Sequence, residues 1–375
     1  MNFLTLLSLI SLGLSFPLNH TLPTTSPKVD KFQPKVFVVT MFSLEEEHWL
    51  QNVYFANNFT LPGLSPLYPM VHCTTDFDVC HVTTGEGEIN AANTMMALLL
   101  NPLFDYSETF WLINGIAGGH PQEISYGSVT IAKYAVQVAL QYEMSYNDIM
   151  ADHKNWTSGY WSYGSDDPLA YPENVYGTEV FELNEKLRDK ALEVAKSVED
   201  QFVEGSERNI GLRKLYPSPA NKKPFVKGCD VLTSDTYFSA KTLDDYFYNL
   251  TSVLTNGSAT YCSTAQEDNA SLEAFIRLAK SGVARYDRVI VMRSISDYAQ
   301  PPSNFTDPVY WFNEYDQGGI QASLDNLFTA GFAIVEDILN NWDNYTEIQA
   351  DNYLGDIFGT LGGKMDFGKE SYVIH

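Results

Sequence analysis

The chain has 375 residues, 45% of them hydrophobic and 14% aromatic, enough for one large core or two domains, and disorder throughout is excluded. Its 23 Lys plus Arg stand against 47 Asp plus Glu, a formal net charge of −24. That balance opposes binding to nucleic acid or anionic membranes and leaves neutral or cationic small molecules as partners.

Residues 1–17, MNFLTLLSLISLGLSFP, read as a signal peptide: an apolar run of the right length, followed by small residues and Pro17, although no basic residue precedes it. N-x-S/T sequons follow at Asn19, Asn58, Asn155, Asn249, Asn256, Asn269, Asn304 and Asn344. Together they predict the secretory route, N-glycans on some sites, and a secreted or cell-wall protein. Residues 18–35, rich in Thr, Ser, Pro and Lys, read as a flexible leader. No later run reaches the about 18 to 20 apolar residues that a membrane-crossing helix needs, so no transmembrane segment is expected in the mature chain. Cys73, Cys80, Cys229 and Cys262 can pair in any of three ways; Cys73 and Cys80 flank a hairpin-like stretch, TTDFDV. No C-x-x-C or compact His/Cys cluster is present, so neither a metal nor another cofactor is expected.

From residue 36 the pattern alternates between short β-branched runs and helical segments. Val36 to Thr40 predicts a buried strand, with a helix after it capped by Ser43 and opened by Glu45, Glu46 and Glu47, whose charges suit the helix dipole. A strand over 78–84 ends at Gly85-Glu86-Gly87, and a small-residue helix covers 89–100. A strand over 109–113 stops at Asn114-Gly115-Ile116-Ala117-Gly118-Gly119-His120. One or two β segments lie in 126–138, and 145–171 is a polar, aromatic surface insertion or lid. Helical patterns cover 174–200, 265–281, 319–341 and 350–361, and 209–227 is loop-like. A strand over 229–232 ends at Ser234-Asp235-Thr236-Tyr237. The run Val289 to Met292 delivers Ser296 and Asp297 to its C-terminal end, where ligands bind in open α/β sheets. Locally, the same two residues would serve equally well as a turn or cap. This order of elements predicts an α/β fold with a central parallel or mixed sheet.

The strand ends carry, in order, Met41 to Glu47, Gly85-Glu86-Gly87, Gly115 to Gly119, Ser234 to Tyr237, Gln266-Glu267-Asp268-Asn269-Ala270 and Ser296-Asp297-Tyr298-Ala299. This series resembles the nucleoside phosphorylase and nucleosidase superfamily, and within it the whole mature chain is most similar to the fungal purine nucleoside permease family. The resemblance implies one three-layer domain over 36–375, a mixed β-sheet flanked by helices, with a purine nucleoside as ligand and a homodimer or homotrimer as the assembly. It implies that Asp297 protonates the departing purine, that Glu47, or alternatively Glu45, activates water, that Glu267 holds the ribose hydroxyls and that Tyr237 stacks on the base. Gly85, Asn114, Gly118, Gly119, Gln266 and Ser296 would line the site.

The chemistry of an N-glycosidic bond asks for such a set. Its cleavage passes through an oxocarbenium-like sugar and expels a purine that leaves well only when protonated. A phosphorylase also needs cationic donors for phosphate, yet no Lys or Arg occurs from Val36 to Ala132, where the resemblance implies most of the phosphate-binding arginines. A hydrolase is therefore the leading expectation. A nucleoside-binding transport component is the alternative, and a phosphorylase ranks below both. Asn269 is a sequon asparagine beside Glu267, so it is expected to carry no glycan.

Overall fold

The computed structural model describes residues 31–154 and 156–359. The signal segment and most of the leader lie outside the described residues, as do Asn19, Asn155 and the end of the helix expected over 350–361. The strands are β1 (Val36–Thr40), β2 (Asn57–Thr60), β3 (Met70–Cys73), β4 (Val79–Thr83), β5 (Phe110–Gly119), β6 (Val129–Ile131), β7 (Tyr134–Gln137), β8 (Gln141–Glu143), β9 (Tyr160–Ser162), β10 (Val180–Glu182), β11 (Val226–Gly228), β12 (Asp230–Thr233), β13 (Tyr261–Ala265) and β14 (Val289–Tyr298). The helices are α1 (Ser43–Asn52), α2 (Glu88–Leu99), α3 (Tyr146–Ile149), α4 (Glu185–Ser197), α5 (Glu207–Arg213), α6 (Lys241–Leu254), α7 (Asp268–Ala279), α8 (Pro308–Asn313), α9 (Ile320–Asn340) and α10 (Trp342–Thr346).

One 12-stranded sheet runs in the order β10-β7-β12-β13-β5-β1-β4-β3-β2, and β14 joins β5 to β6 and β11. It is mixed, as expected: β1 is parallel to β4 and β5, and β14 is parallel to β5, whereas β3 is antiparallel to β4. The two-residue period of a strand sorts the side chains into layers. Phe37, Val39, Trp111, Ile113, Val289 and Val291 pack with Met95 and Leu98 of α2 and Phe275 and Ile276 of α7. Their sequence neighbours Val36, Val38, Leu112, Ile290 and Met292 pack on the other face with Trp49 of α1, Leu187 of α4 and Leu327, Ile334 and Ile338 of α9. A helix layer thus covers each face, which gives the three layers and explains why these strands read as continuous apolar runs. Cys73 pairs with Cys80 across β3 and β4, and Cys229 pairs with Cys262.

Several expected boundaries move. β5 does not stop at Ile113 nor β14 at Met292: the two pair with each other from Trp111/Val289 to Gly119/Tyr298, so each carries the other through its Gly-rich or polar end. The span 174–200 is not one helix. Val180–Glu182 pairs antiparallel with β7, and Asn184 starts α4 by accepting a hydrogen bond from Leu187 N at 3.3 Å, a side-chain N-cap. No helix forms over the described residues 350–359; Gly355 bridges to Glu182 instead, and Leu354 and Ile357 are buried. The 145–171 insertion forms α3 and β9, and β9 pairs with β8. Tyr160 packs its ring on Tyr246 and Phe247 of α6, a helix not anticipated from the sequence.

Candidate active site

The C-terminal ends of β1, β5, β12, β13 and β14 converge on a cavity of about 410 Å³, within the size range of small-molecule sites. Glu45, Gly118, Tyr237, Gln266, Glu267, Arg293, Ser296 and Asp297 line it, and residues 312 and 315–320 close one side. No described residue of the 145–171 insertion lines this cavity.

Asp297 is supplied by the far end of β14, where a register shift between Ile295 and Asp297 disturbs the ladder with β5. Its Oδ1 accepts a hydrogen bond from the Tyr237 hydroxyl at 3.0 Å, and its Oδ2 lies 2.7 Å from Ser296 Oγ. Burial pushes the carboxyl above its ordinary range, against the hydrogen bonds from Ser296 and Tyr237. Ser296 Oγ also lies 3.0 Å from Ala117 O. One hydroxyl proton cannot fully serve both oxygens, so when Ser296 donates to Ala117 the Oδ2 contact accommodates a proton held by Asp297. Gly118 makes the close approach feasible: a Cβ there would lie 2.5 Å from Thr264 Oγ1 and 3.3 Å from Asp297 Oδ1.

On the opposite side a guanidinium is enclosed by carboxylates. Arg293 donates to Asp268 through Nε (3.2 Å) and Nη2 (2.5 Å), to Glu267 Oε2 through Nη2 (3.2 Å) and to Ile116 O through Nη1 (3.2 Å). It is fully buried, and despite that burial Asp268, Glu267 and Glu45 hold it firmly protonated. Glu267 also accepts from Gly87 N at 2.9 Å, and burial raises its carboxyl while Arg293 opposes the rise. Gly87 at φ +88° begins α2 in a conformation that favours glycine.

Glu45, not Glu47, faces the cavity. Its Oε2 accepts from Met41 N and its Oε1 from Ile116 N, both at 2.7 Å. Burial pushes its carboxyl up to about 8, against Arg293 and the two backbone donors. Glu47, one position past the buried face of the helix, is exposed. Three other expected lining residues are set back from the cavity. Asn114 is buried and accepts from Trp49 Nε1 at 2.9 Å, Gly119 packs against Ile295 and Ile124, and Gly85 forms a turn at φ +83°. Gln266 stays in the cavity wall and reaches Asp235 O through Nε2 at 3.3 Å.

Sequence reasoning missed Asp268 and the segment from Phe312 to Ile320. Asp268 had a signal, an acidic residue beside Glu267, but nothing local marked its guanidinium partner. Asn269 is buried: its Nδ2 donates to Thr178 O at 2.7 Å and its Oδ1 accepts from Thr233 Oγ1 at 2.8 Å. A glycan on Nδ2 would have to displace that packing. Glycopeptide mapping of the folded protein is therefore expected to find Asn269 unmodified, and a glycan there would refute this arrangement.

A mixed α/β sheet thus brings a buried carboxyl, a second raised carboxyl and a saturated guanidinium to one cleft of small-molecule size. The chain belongs to the purine nucleoside permease family: residues 33–349 match the family model described as "Purine nucleoside permease (NUP)". It is 54% identical over 359 residues to a purine nucleoside permease of Candida albicans, covering 94% of this chain and 88% of the relative. It is 41% identical over 325 residues to a probable purine nucleoside permease of Schizosaccharomyces pombe, covering 84% and 92%. Among solved structures, it is similar to the 5′-methylthioadenosine/S-adenosylhomocysteine nucleosidase of Neisseria meningitidis at 14% identity and a TM-score of 0.49, covering 82% of this chain and 99% of that one. It is also similar to futalosine hydrolase of Helicobacter pylori at 16% identity and a TM-score of 0.47, covering 80% and 97%. Among the described residues no helix is long and apolar enough to cross a membrane.

Proposed function

We propose that the cavity binds a purine nucleoside and hydrolyses its N-glycosidic bond. The observation that carries this reading is the pairing, in one cleft, of Asp297, a buried carboxyl raised by desolvation, with Glu45, a carboxyl raised to about 8. Asp297 gives a proton to the imidazole nitrogen of the purine as the C1′–N9 bond breaks, so the base departs neutral. Glu45 takes a proton from water as the water oxygen bonds to C1′. Glu267 supplies negative charge beside the sugar while the oxocarbenium character develops. The products are free base and ribose, and no other reactant is consumed.

Water rather than phosphate is the proposed nucleophile because Arg293, the one Lys or Arg among the described lining residues, already spends its donors on Asp268, Glu267 and Ile116. Purified protein incubated with adenosine, inosine or guanosine is expected to release free base and ribose at the same rate with and without inorganic phosphate. Release that requires phosphate and yields ribose 1-phosphate would overturn the hydrolase reading.

The names of these relatives favour a second reading, a nucleoside-binding component of transport. It requires binding without turnover, which the same incubation detects. We also propose the secretory route for the chain. Sequon residues Asn58, Asn249, Asn256, Asn304 and Asn344 are exposed, and the four cysteines are paired, as an oxidising compartment favours.

A further inference from the structure

Tyr237 stands on the loop between β12 and α6, its ring half-exposed at the cavity mouth, 5.1 Å from Phe312 and tilted by 59°. Its hydroxyl reaches inward and donates to Asp297 Oδ1 at 3.0 Å. Oδ2 is engaged by Ser296, so Tyr237 covers the one carboxyl oxygen that does not face its own strand neighbour. On the proposed function, Asp297 must present a protonated oxygen to a purine nitrogen. With Ser296 fixed to the strand by its contact with Ala117 O, the side that can be vacated is the tyrosine side.

We propose that Tyr237 is a latch on Asp297: its hydroxyl holds the oxygen that the purine edge must take, and binding of the base displaces it. The inference rests on the nucleosidase reading for the identity of the displacing ligand, but the contact between Tyr237 and Asp297 does not. The ring is suited to the task because it is anchored by aromatic contact at the rim rather than locked in the core, and the cavity beyond it is open to the segment from Phe312 to Ile320. Among the described residues the hydroxyl makes no other hydrogen bond, so releasing Asp297 breaks a single contact. That contact is a charge-assisted one when Asp297 is ionised and an ordinary one when it is protonated. The latch therefore holds the unproductive ionised acid more firmly than the productive neutral one. The charge of Asp297 also reaches Tyr126 and Tyr261, buried tyrosines whose hydroxyls it helps keep protonated. Arg293, although it lines the same cavity, is turned to the carboxylates on the other side.

Tyr237→Phe keeps the ring and removes only the hydroxyl. In the ligand-free protein, carbon-13 NMR titration of labelled aspartate carboxyls is expected to show Asp297 titrating higher in the variant, by about one pH unit, because a donor to the charged form is lost. Adenine and hypoxanthine, used as probes in calorimetry, are expected to bind the variant about tenfold more tightly, since no hydrogen bond has to be broken first. Unchanged titration and unchanged affinity, in a protein that still cleaves nucleosides, would overturn the latch and leave the nucleosidase reading standing. Weaker purine binding by the variant would also overturn it, because the hydroxyl would then be a contact to the base. A wild-type chain that neither binds purines nor cleaves nucleosides, yet shows the titration difference, would overturn the nucleosidase reading and confirm the bond between Tyr237 and Asp297.

Discussion

Asp297→Asn is expected to lower the rate of nucleoside hydrolysis by about 10²- to 10⁴-fold, the range lost when a positioned general acid is removed. The substitution is nearly isosteric, and an amide oxygen can still accept from the Tyr237 hydroxyl, which now lies 3.0 Å from Oδ1. What it cannot do is hold a transferable proton near the departing base. Nucleoside affinity is therefore expected to stay within a few-fold of wild type, which separates the enzyme from a binding protein. Single-turnover kinetics together with calorimetry checks both halves. Turnover unchanged by the substitution would remove Asp297 from the chemistry.

The second large effect belongs to Glu45. A carboxyl pushed up to about 8 is mostly protonated at neutral pH, and only its ionised form can accept a proton from water. The kcat/KM of the wild-type protein is thus expected to climb with pH toward about 8, nearly tenfold per unit at its acid end. Loss of the proton from Asp297, itself raised by burial, opposes the climb and gives a bell. Glu45→Gln should abolish the rising limb and lower the maximum by about 100-fold, whereas Glu47→Gln, on the exposed side of α1, should alter neither. Folding gives an independent check. The folded-state value of Glu45 lies above its ordinary value of 4.5, so the folded state binds more protons in that interval. Stability from this group is full below the unfolded value and is lost as pH rises through the folded one. The fall in Tm between pH 6 and pH 9 is accordingly expected to be smaller in Glu45→Gln. An equal fall in the two proteins would show that Glu45 titrates normally.

The difference between Glu45 and Glu47 marks how far sequence carries. Consecutive residues of a helix point about 100° apart, so a run of glutamates at a helix start places one inward without saying which. The choice is made by Met41 N and Ile116 N, the second of which comes from a strand 71 residues away. Arg293 is a similar case. It lies four residues before Asp297 on β14, but the register shift between Ile295 and Asp297 breaks the two-residue alternation between them, and a bidentate contact with Asp268 from another element holds its guanidinium. By contrast, the continuous apolar runs Val36 to Val39 and Val289 to Met292 were legible as buried strands, because packing on both faces of a sheet is written into local composition. The premature ends given to β5 and β14 have the same origin as the glutamate ambiguity. Glycine and polar residues discourage a strand in isolation, and only the partner strand restores it.

The saturation of Arg293 also makes the cleft a charge filter. Asp268, Glu267 and Glu45 surround one guanidinium, so the site meets an arriving molecule with no unspent positive charge. An uncharged nucleoside has nothing to lose on entry. A nucleotide would bring its phosphate ester toward Asp268 and Glu267, which outnumber the one guanidinium, and an unbalanced pair of like unit charges about 4 Å apart near a protein surface costs of order 4 kcal/mol. On the proposed function, a nucleotide would have to be dephosphorylated before this protein could use it.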